Sequence, residues 1–474
     1  MTRQVLAAAA FALAVASTAA WNTQSADIAK VDAIFARWSS STPGCAVGVG
    51  VNGRSVLEKA YGMADLEHDV PNRPDTIFEA GSVSKQFTAA AVLLLAAEGK
   101  LSLDDPARKY VPELPDYGVP LTIRHMLTHT SGLRDWGSLA GIAGWPRTTR
   151  VHTHAHVIEI LSMQKALNFT PGTRYSYSNS GYNLLAVIVS RVSGMPFAEF
   201  SQKRIFQPLG MTRTSWRDDF TRIVKDRAIA YSGAGPAMRQ DMPFEDVHGN
   251  GGLLTTVGDL LKWNENFVQP KVGDASFVAL QQTVGKFPSG TPQAYAAGLM
   301  LGTYKGLNEV SHSGSTAGYR AFLTRFPREH VSVAVLCNAG TADATSAAHS
   351  VSDLYLGGKI DANAPRTPAI AETRGPLTAL VRDETYKPSA ADLAAFAGTY
   401  VSDEIETTLI VEVRDGALVV KRRPDSVIAM RPHSRNRFDA GGGIGLVTFH
   451  RTGDKVTELG VTQDRVWDLR FRRK

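Results

Sequence analysis

Phe78-Glu-Ala-Gly-Ser-Val-Ser-Lys-Gln-Phe-Thr-Ala-Ala-Ala-Val-Leu-Leu-Leu95 is the stretch from which the rest of the chain is read. Gly81 supplies a tight approach. After it a run almost free of charge continues to Ala97, where Glu98 and Gly99 read as the last turn and C-cap of a helix. Ser82 therefore sits at a helix N-terminus, where backbone N–H groups lack intrahelical partners and the macrodipole favours negative charge. That setting suits an alkoxide and then an oxyanion. Lys85 lies one turn up the same face, within reach of the Ser82 hydroxyl, which is the Ser-x-x-Lys spacing of an acyl-transfer nucleophile. Chance supplies roughly one or two such spacings in a chain this long. What sets this one apart is that Lys85 and Gln86 are the strongly polar residues heading an apolar helix, and a buried lysine needs a reason.

The surrounding 474 residues are 43% hydrophobic and 20% charged, too long for one ordinary domain. Met1 to Ala20 carries Arg3, an apolar Val5 to Ala16 and small residues at Ser17, Ala19 and Ala20. It reads as a secretory signal peptide cleaved after Ala19 or Ala20, so the mature chain is expected to be periplasmic or secreted, with no integral membrane span. The net charge of +6 is scattered along the chain, and no nucleic-acid partner is implied. The two cysteines, Cys45 and Cys337, lie in strand-like runs whose antiparallel pairing would make them neighbours. Inert core thiols are the expectation, with a disulfide as the alternative.

In chain order, an amphipathic helix over Ala26 to Trp38 leads to strands at Cys45 to Val51 and Ser55 to Tyr61, joined by the hairpin pair Asn52-Gly53. From Lys100 to about Thr291 helical patterns alternate with Gly/Pro loops, a mostly helical insertion. Strand character returns at Val310 to His312, Ala321 to Phe326 and Val331 to Leu336, followed by a helix from about Ala344 to Leu356. The proline-bearing 360–390 segment reads as a linker. Five short β runs between Thr407 and Phe471 then predict a small antiparallel barrel or sandwich. The stretches Trp136 to Arg150 and Ser232 to Asp246 read as loops that shape specificity.

Two later segments answer the needs of Ser82. Tyr177-Ser-Asn179 precedes a helix; a phenol beside an ammonium has its pKa lowered, so Tyr177 is a candidate to take the serine proton while Asn179 fixes a substrate amide. His312-Ser-Gly-Ser315 ends a strand. There Gly314 lets a substrate backbone approach, and the Ser315 N–H is a candidate second oxyanion donor beside that of Ser82. His152, His154 and His156 alternate, but they run into a helix that splits their face, so no metal site is expected. His125 and His129 read as structural hydrogen-bonders, and Tyr182 and Trp263 as packing residues.

These segments resemble the penicillin-recognising serine hydrolases of the class C β-lactamase type, a group that includes DD-peptidases, D-aminopeptidases and carboxylesterases. The likeness runs from about Pro43 to Leu356 through Asp75-Thr-Ile-Phe-Glu-Ala-Gly-Ser-Val-Ser-Lys85, Thr122-Ile-Arg-His-Met-Leu-Thr-His-Thr-Ser-Gly-Leu133, Tyr177-Ser-Asn179, Gly251-Gly-Leu-Leu-Thr-Thr256 and His312-Ser-Gly314. It implies an α/β (α+β) fold, with a β-lactamase/transpeptidase-like antiparallel sheet flanked by helices and a mostly helical subdomain. It divides the chain into a signal peptide (1–20), a hydrolase domain (21–359), a linker (360–390) and a C-terminal lipocalin-like β domain (391–474).

The resemblance also implies Ser82 as nucleophile, Lys85 as its electrostatic partner, Tyr177 as general base and Asn179 as substrate-positioning residue, with no cofactor. His312 stands where the third motif's cation sits. β-Lactamases proper have Lys-Thr-Gly there, and a histidine is mostly neutral at pH 7. The expectation is therefore a hydrolase of amide or ester bonds in D-amino-acid peptides, peptidoglycan-derived ones among them, or in small acyl compounds. The alternatives are a weak β-lactamase or a non-catalytic peptidoglycan binder.

Overall fold

The computed structural model describes residues 28–364 and 376–474, apart from Thr148, Gly442 and the side chains of Thr378 and Ala379. The expected signal peptide and part of the expected linker lie outside the described residues.

Helix α1 (residues 28–35) precedes β1 (Cys45–Val51) and β2 (Arg54–Tyr61). Asn52 and Gly53, both at positive φ, make the two-residue turn between these strands. The sheet is completed from much later in the chain by β3 (Met300–Tyr304), β4 (Leu307–Thr316), β5 (Tyr319–Phe326) and β6 (Val331–Cys337), in the spatial order β3-β4-β5-β6-β1-β2. Between β2 and β3 lie α2 (Lys85–Ala97), α3 (Trp136–Ile142), α4 (Asn179–Ser193) and α5 (Val257–Glu265), with shorter elements between; α6 (Ala344–Leu356) follows β6.

The two-residue period of β1 sorts its side chains between two cores. Val47 and Val49 pack with Val31 and Phe35 of α1 and Ala348 and Val351 of α6, while Ala46 faces the core of α2 and α5. On that second face Gly48 leaves room for Val257, whose side chain would lie 3.1 Å from any added Cβ. Helix α2 is buried from Lys85 to Leu95, as a helix apolar on all sides must be.

The expectation of free core thiols is corrected. Cys45 and Cys337 are directly opposite in the β1–β6 register, with Cα atoms 4.0 Å apart, and they form a disulfide. Side chains of directly opposed residues leave the same face of the sheet, so the two sulfurs meet. The edge strand β3 gave no signal in the sequence, because its Gly302 and Thr303 interrupt the alternation.

The C-terminal region is a closed eight-stranded barrel in sequence order: β7 (Gly398–Ser402), β8 (Thr407–Arg414), β9 (Ala417–Arg422), β10 (Ser426–Ser434), β11 (Arg437–Asp439), β12 (Leu446–Thr452), β13 (Lys455–Gln463) and β14 (Val466–Arg473). Five of these strands match the predicted runs. The others are short, like β7 and β11, or carry Arg431, Pro432 and His433, like β10, and so lack an apolar alternation.

The stretch beginning at Trp136, expected to be a loop, instead opens with α3, capped by Asp135, whose Oδ1 accepts from Ser138 N. Its Leu139 and Ile142, with the following Ala143, join Leu409, Val447 and Leu469 in the barrel core, so residues from the preceding region plug the barrel. Next to this plug Arg134 donates to Glu404 Oε2 at 2.7 Å, both side chains being almost fully buried. Glu404 Oε2 also accepts from Lys165 N.

Removing one member of a buried pair strands the other charge. Arg134→Ala is expected to destabilise the folded protein by about 3–5 kcal/mol, read as a lower midpoint in urea denaturation followed by tryptophan fluorescence. An unchanged midpoint would show that the barrel does not depend on this pair.

Candidate active site

Gly81–Ser84 forms a 3₁₀ turn that runs directly into α2. Gly81 has φ +51°, and a Cβ there would lie 2.6 Å from Ser315 N. A side chain would thus clash as well as strain the backbone. The close approach holds the Ser315 amide against the residue preceding Ser82. Gly314 makes a second contact of this kind, since a Cβ there would come within 2.0 Å of the Ala80 carbonyl oxygen. The missing side chain of Gly314 thus makes room for Ala80, and through it for the Gly81–Ser84 turn.

Lys85 is fully buried. Its Nζ donates to the Asn250 carbonyl at 2.7 Å and to Asn179 Oδ1 at 3.0 Å, and lies 3.3 Å from Ser82 Oγ. Two of these partners only accept, whereas the Ser82 hydroxyl can also donate. A neutral amine with two N–H bonds so engaged presents its lone pair to Ser82. Burial, followed by the charge of Arg465, drives the Lys85 amine well below its usual range.

Tyr177 stands beside this group, its ring centroid 4.7 Å from Lys85 Nζ. Burial pushes its hydroxyl well above the ordinary phenol range, against a smaller opposing effect from Ser82. Burial thus acts against the expected Tyr177 phenolate held by a lysine cation, raising the phenol and lowering the amine. The Tyr177 hydroxyl is buried without a hydrogen-bond partner among the described residues.

His312 is neutral. Its Nδ1 lies 2.6 Å from its acceptor, the Ser313 carbonyl oxygen, and its Nε2 lies 2.9 Å from the Tyr295 hydroxyl. The carbonyl demands a proton on Nδ1, which leaves Nε2 to accept from Tyr295. Burial and then Lys85 bring the imidazole pKa down to about 3. His312 thus supplies no cation where the resemblance places one.

The structure brings Ser82, Lys85, Tyr177, Asn179 and His312 together in one site and sets Gly314 and Ser315 against the Gly81–Ser84 turn. His125 and His129 make structural bonds, as expected: His125 Nδ1 accepts from Thr122 N and His129 Nδ1 from Ser178 N. The alternating histidines serve local ends: His156 Nδ1 accepts from Thr153 N, and His154 Nε2 lies 2.9 Å from the His248 carbonyl.

Three contributors escaped the sequence reading. Asn250 acts through its backbone carbonyl, which no side-chain motif announces, although it immediately precedes the quoted Gly251-Gly252 segment. Asp135 caps α3 through Oδ1, accepts from Asn179 N through Oδ2 at 2.8 Å, and donates its own N–H to the Arg465 carbonyl at 3.2 Å. An Asp before an apolar run was its one available signal. Arg465, in the turn between β13 and β14, sits with its guanidinium carbon 4.8 Å from the Tyr177 ring centroid.

Residues 28–356 match the family model described as Beta-lactamase. A D-aminopeptidase of Cereibacter sphaeroides is 30% identical over 319 residues, covering 66% of this chain and 60% of its own length. Penicillin-binding protein 4* of Bacillus subtilis is 29% identical over 295 residues, covering 58% and 63%. The chain thus spans about three fifths of the length of these curated relatives. Among solved structures, the octameric penicillin-binding protein homologue from Pyrococcus abyssi superposes with a TM-score of 0.60 at 24% identity, over 96% of this chain and 99% of that one. The D-amino acid amidase of Ochrobactrum anthropi gives 0.59 at 22% identity, over 69% and 97%. These structural likenesses bear on the fold.

If neutral Lys85 is the base, lowering the pH protonates it and turnover falls on the acid side, through a pKa below the usual lysine value of 10.5. His312, neutral above about 3, adds no step near 6.5. A pH–rate profile for wild type and His312→Gln checks this. An acid limb near 6.5 that vanishes in the variant would contradict it.

Proposed function

Because the chain belongs to the beta-lactamase family, we propose that it is a serine hydrolase that cleaves amide or ester bonds of D-amino-acid peptides or small acyl compounds through an acyl-enzyme. The observation that carries this reading is the fully buried Lys85 amine, 3.3 Å from Ser82 Oγ and otherwise bonded to two acceptors.

In the proposed reaction Lys85 takes the Ser82 proton as Oγ attacks the acyl carbon. The oxyanion forms beside the Ser82 and Ser315 amides, and Asn179 orients the substrate amide. The Tyr177 hydroxyl protonates the leaving nitrogen or oxygen and is reprotonated by Lys85. Water then attacks the Ser82 ester, giving its proton to Lys85; the acid departs and Ser82 Oγ recovers a proton. Every proton accepted is thereby returned.

The neutral His312 supports a weak rather than a strong action on β-lactams, whose carboxylate the third-motif cation otherwise meets. D-aminopeptidase is the printed name of one relative, and it supports the D-amino-acid side of the substrate class. The proposed setting is the periplasm or the cell exterior, supported by the Cys45–Cys337 disulfide, since such bonds persist in oxidising compartments.

The test is a substrate panel of a chromogenic cephalosporin, D-alanine p-nitroanilide, an acyl-D-Ala-D-Ala peptide and a p-nitrophenyl ester, together with fluorophosphonate labelling. Ser82→Ala is expected to lose labelling and at least about 10³-fold in kcat on whichever substrate is turned over. Absence of labelling in the folded wild type would leave only a binding protein.

A further inference from the structure

The site has a neutral imidazole where the resemblance to β-lactamases proper places a cation, yet a guanidinium from another part of the chain stands beside Tyr177. Arg465 lies in the β13–β14 turn of the barrel, and its backbone is pinned to the hydrolase region. Its carbonyl accepts from Asp135 N at 3.2 Å and from Asn168 Nδ2 at 3.0 Å, and Asn168 Oδ1 accepts from Trp467 N at 2.9 Å. The Arg465 guanidinium carbon rests 4.8 Å from the Tyr177 ring centroid, and the side chain makes no ion pair among the described residues. Its charge is felt at Lys85, Tyr177 and His129.

Neighbouring arginines are committed elsewhere. Arg147 pairs with Glu245, and Arg320, opposite Ser315 in the β4–β5 register, is bonded to the Ala317 and Tyr319 carbonyls.

We propose that Arg465 is the substrate-carboxylate anchor of this site, and that the substrate's leaving residue carries a free α-carboxylate. This rests on the hydrolase reading above and narrows it. A guanidinium offers a planar fork of donors that matches a carboxylate in a bidentate way. Its station over Tyr177, the group that protonates the leaving atom, puts the anchor on the leaving-group side of the scissile bond. A carboxylate held there satisfies an otherwise unpaired cation. A substrate with a free ammonium at that place would face Arg465 and is disfavoured. The barrel thus serves as part of the specificity pocket, and its plugging by α3 fixes where the arginine stands.

The test compares N-acetyl-D-Ala-D-Ala with its C-terminal carboxamide, in wild type, Arg465→Gln and Arg465→Lys, with circular dichroism as the folding check. The wild type is expected to favour the acid over the amide. That ratio of kcat/KM should fall at least about tenfold in Arg465→Gln, chiefly through KM, and partly survive in Arg465→Lys. Salt gives a second readout needing no variant: KM for the acid should rise with ionic strength while KM for the amide does not. A ratio unaltered in folded Arg465→Gln, or no difference in salt response, overturns the anchor alone. Turnover of neither peptide by a wild type that still takes the fluorophosphonate label at Ser82 overturns the anchor alone; absence of that label, or turnover unaffected by Ser82→Ala, overturns the hydrolase reading and the anchor with it.

Discussion

The burial of one amine organises this structure. A charged lysine in an apolar interior is strongly disfavoured unless its surroundings compensate. Around Lys85 the chain supplies two oxygen acceptors and a serine hydroxyl, with no carboxylate among the described residues bonded to the amine. That satisfies the N–H groups while burial drives the amine well below its usual range. Each supporting element has this as its local purpose. Gly298, at φ +77°, lets the chain pass against the Lys85 carbonyl, where a Cβ would come within 2.7 Å. Thr88 Oγ1 donates to Gly249 O, steadying the loop that presents Asn250. Asn183 Nδ2 bonds Asn250 Oδ1 and in turn ties that loop to α4, the helix that begins with Asn179.

The second constraint is that the two regions of the chain are joined at the site rather than beside it. Asp135 is the junction. One carboxylate oxygen caps α3, the other holds the first amide of α4, and its N–H receives the barrel turn carrying Arg465. Because α3 also fills the barrel core, displacing the barrel would disturb the cap, and with it the placement of Asn179. A contact that looks like domain packing is thereby coupled to the geometry of the cleft.

What the sequence disclosed follows from how local each feature is. Ser82 and Lys85 share one helical turn, and Tyr177 and Asn179 share one loop, so their spacing was legible and the structure brings the pairs together. The hairpin at Asn52-Gly53 was legible for the same reason, whereas the Cys45–Cys337 bond, closing a separation of 292 residues, was read only as the alternative to free thiols. The protonation states were not. The expectation for Tyr177 assumed an exposed-like phenol beside a cation, whereas burial acts on phenol and amine in opposite directions and disfavours the charged form of each. Asp135, Asn250 and Arg465 were invisible because their roles depend on contacts between distant segments. For Arg465 that partner is the Asp135–Asn168 stretch, some three hundred residues earlier, and a lone arginine in a barrel turn has no pattern to mark it.

The most direct measurement is the protonation of the Lys85 side chain itself. NMR of protein carrying ¹³Cε- and ¹⁵Nζ-labelled lysine, with Lys85→Met identifying the resonance, reports its charge across pH. The account predicts an amine already neutral at pH values where the other lysines remain charged, titrating well below 10.5. A Lys85 signal that stays that of an ammonium up to the usual lysine range would contradict it, and the base of the reaction would have to be found elsewhere.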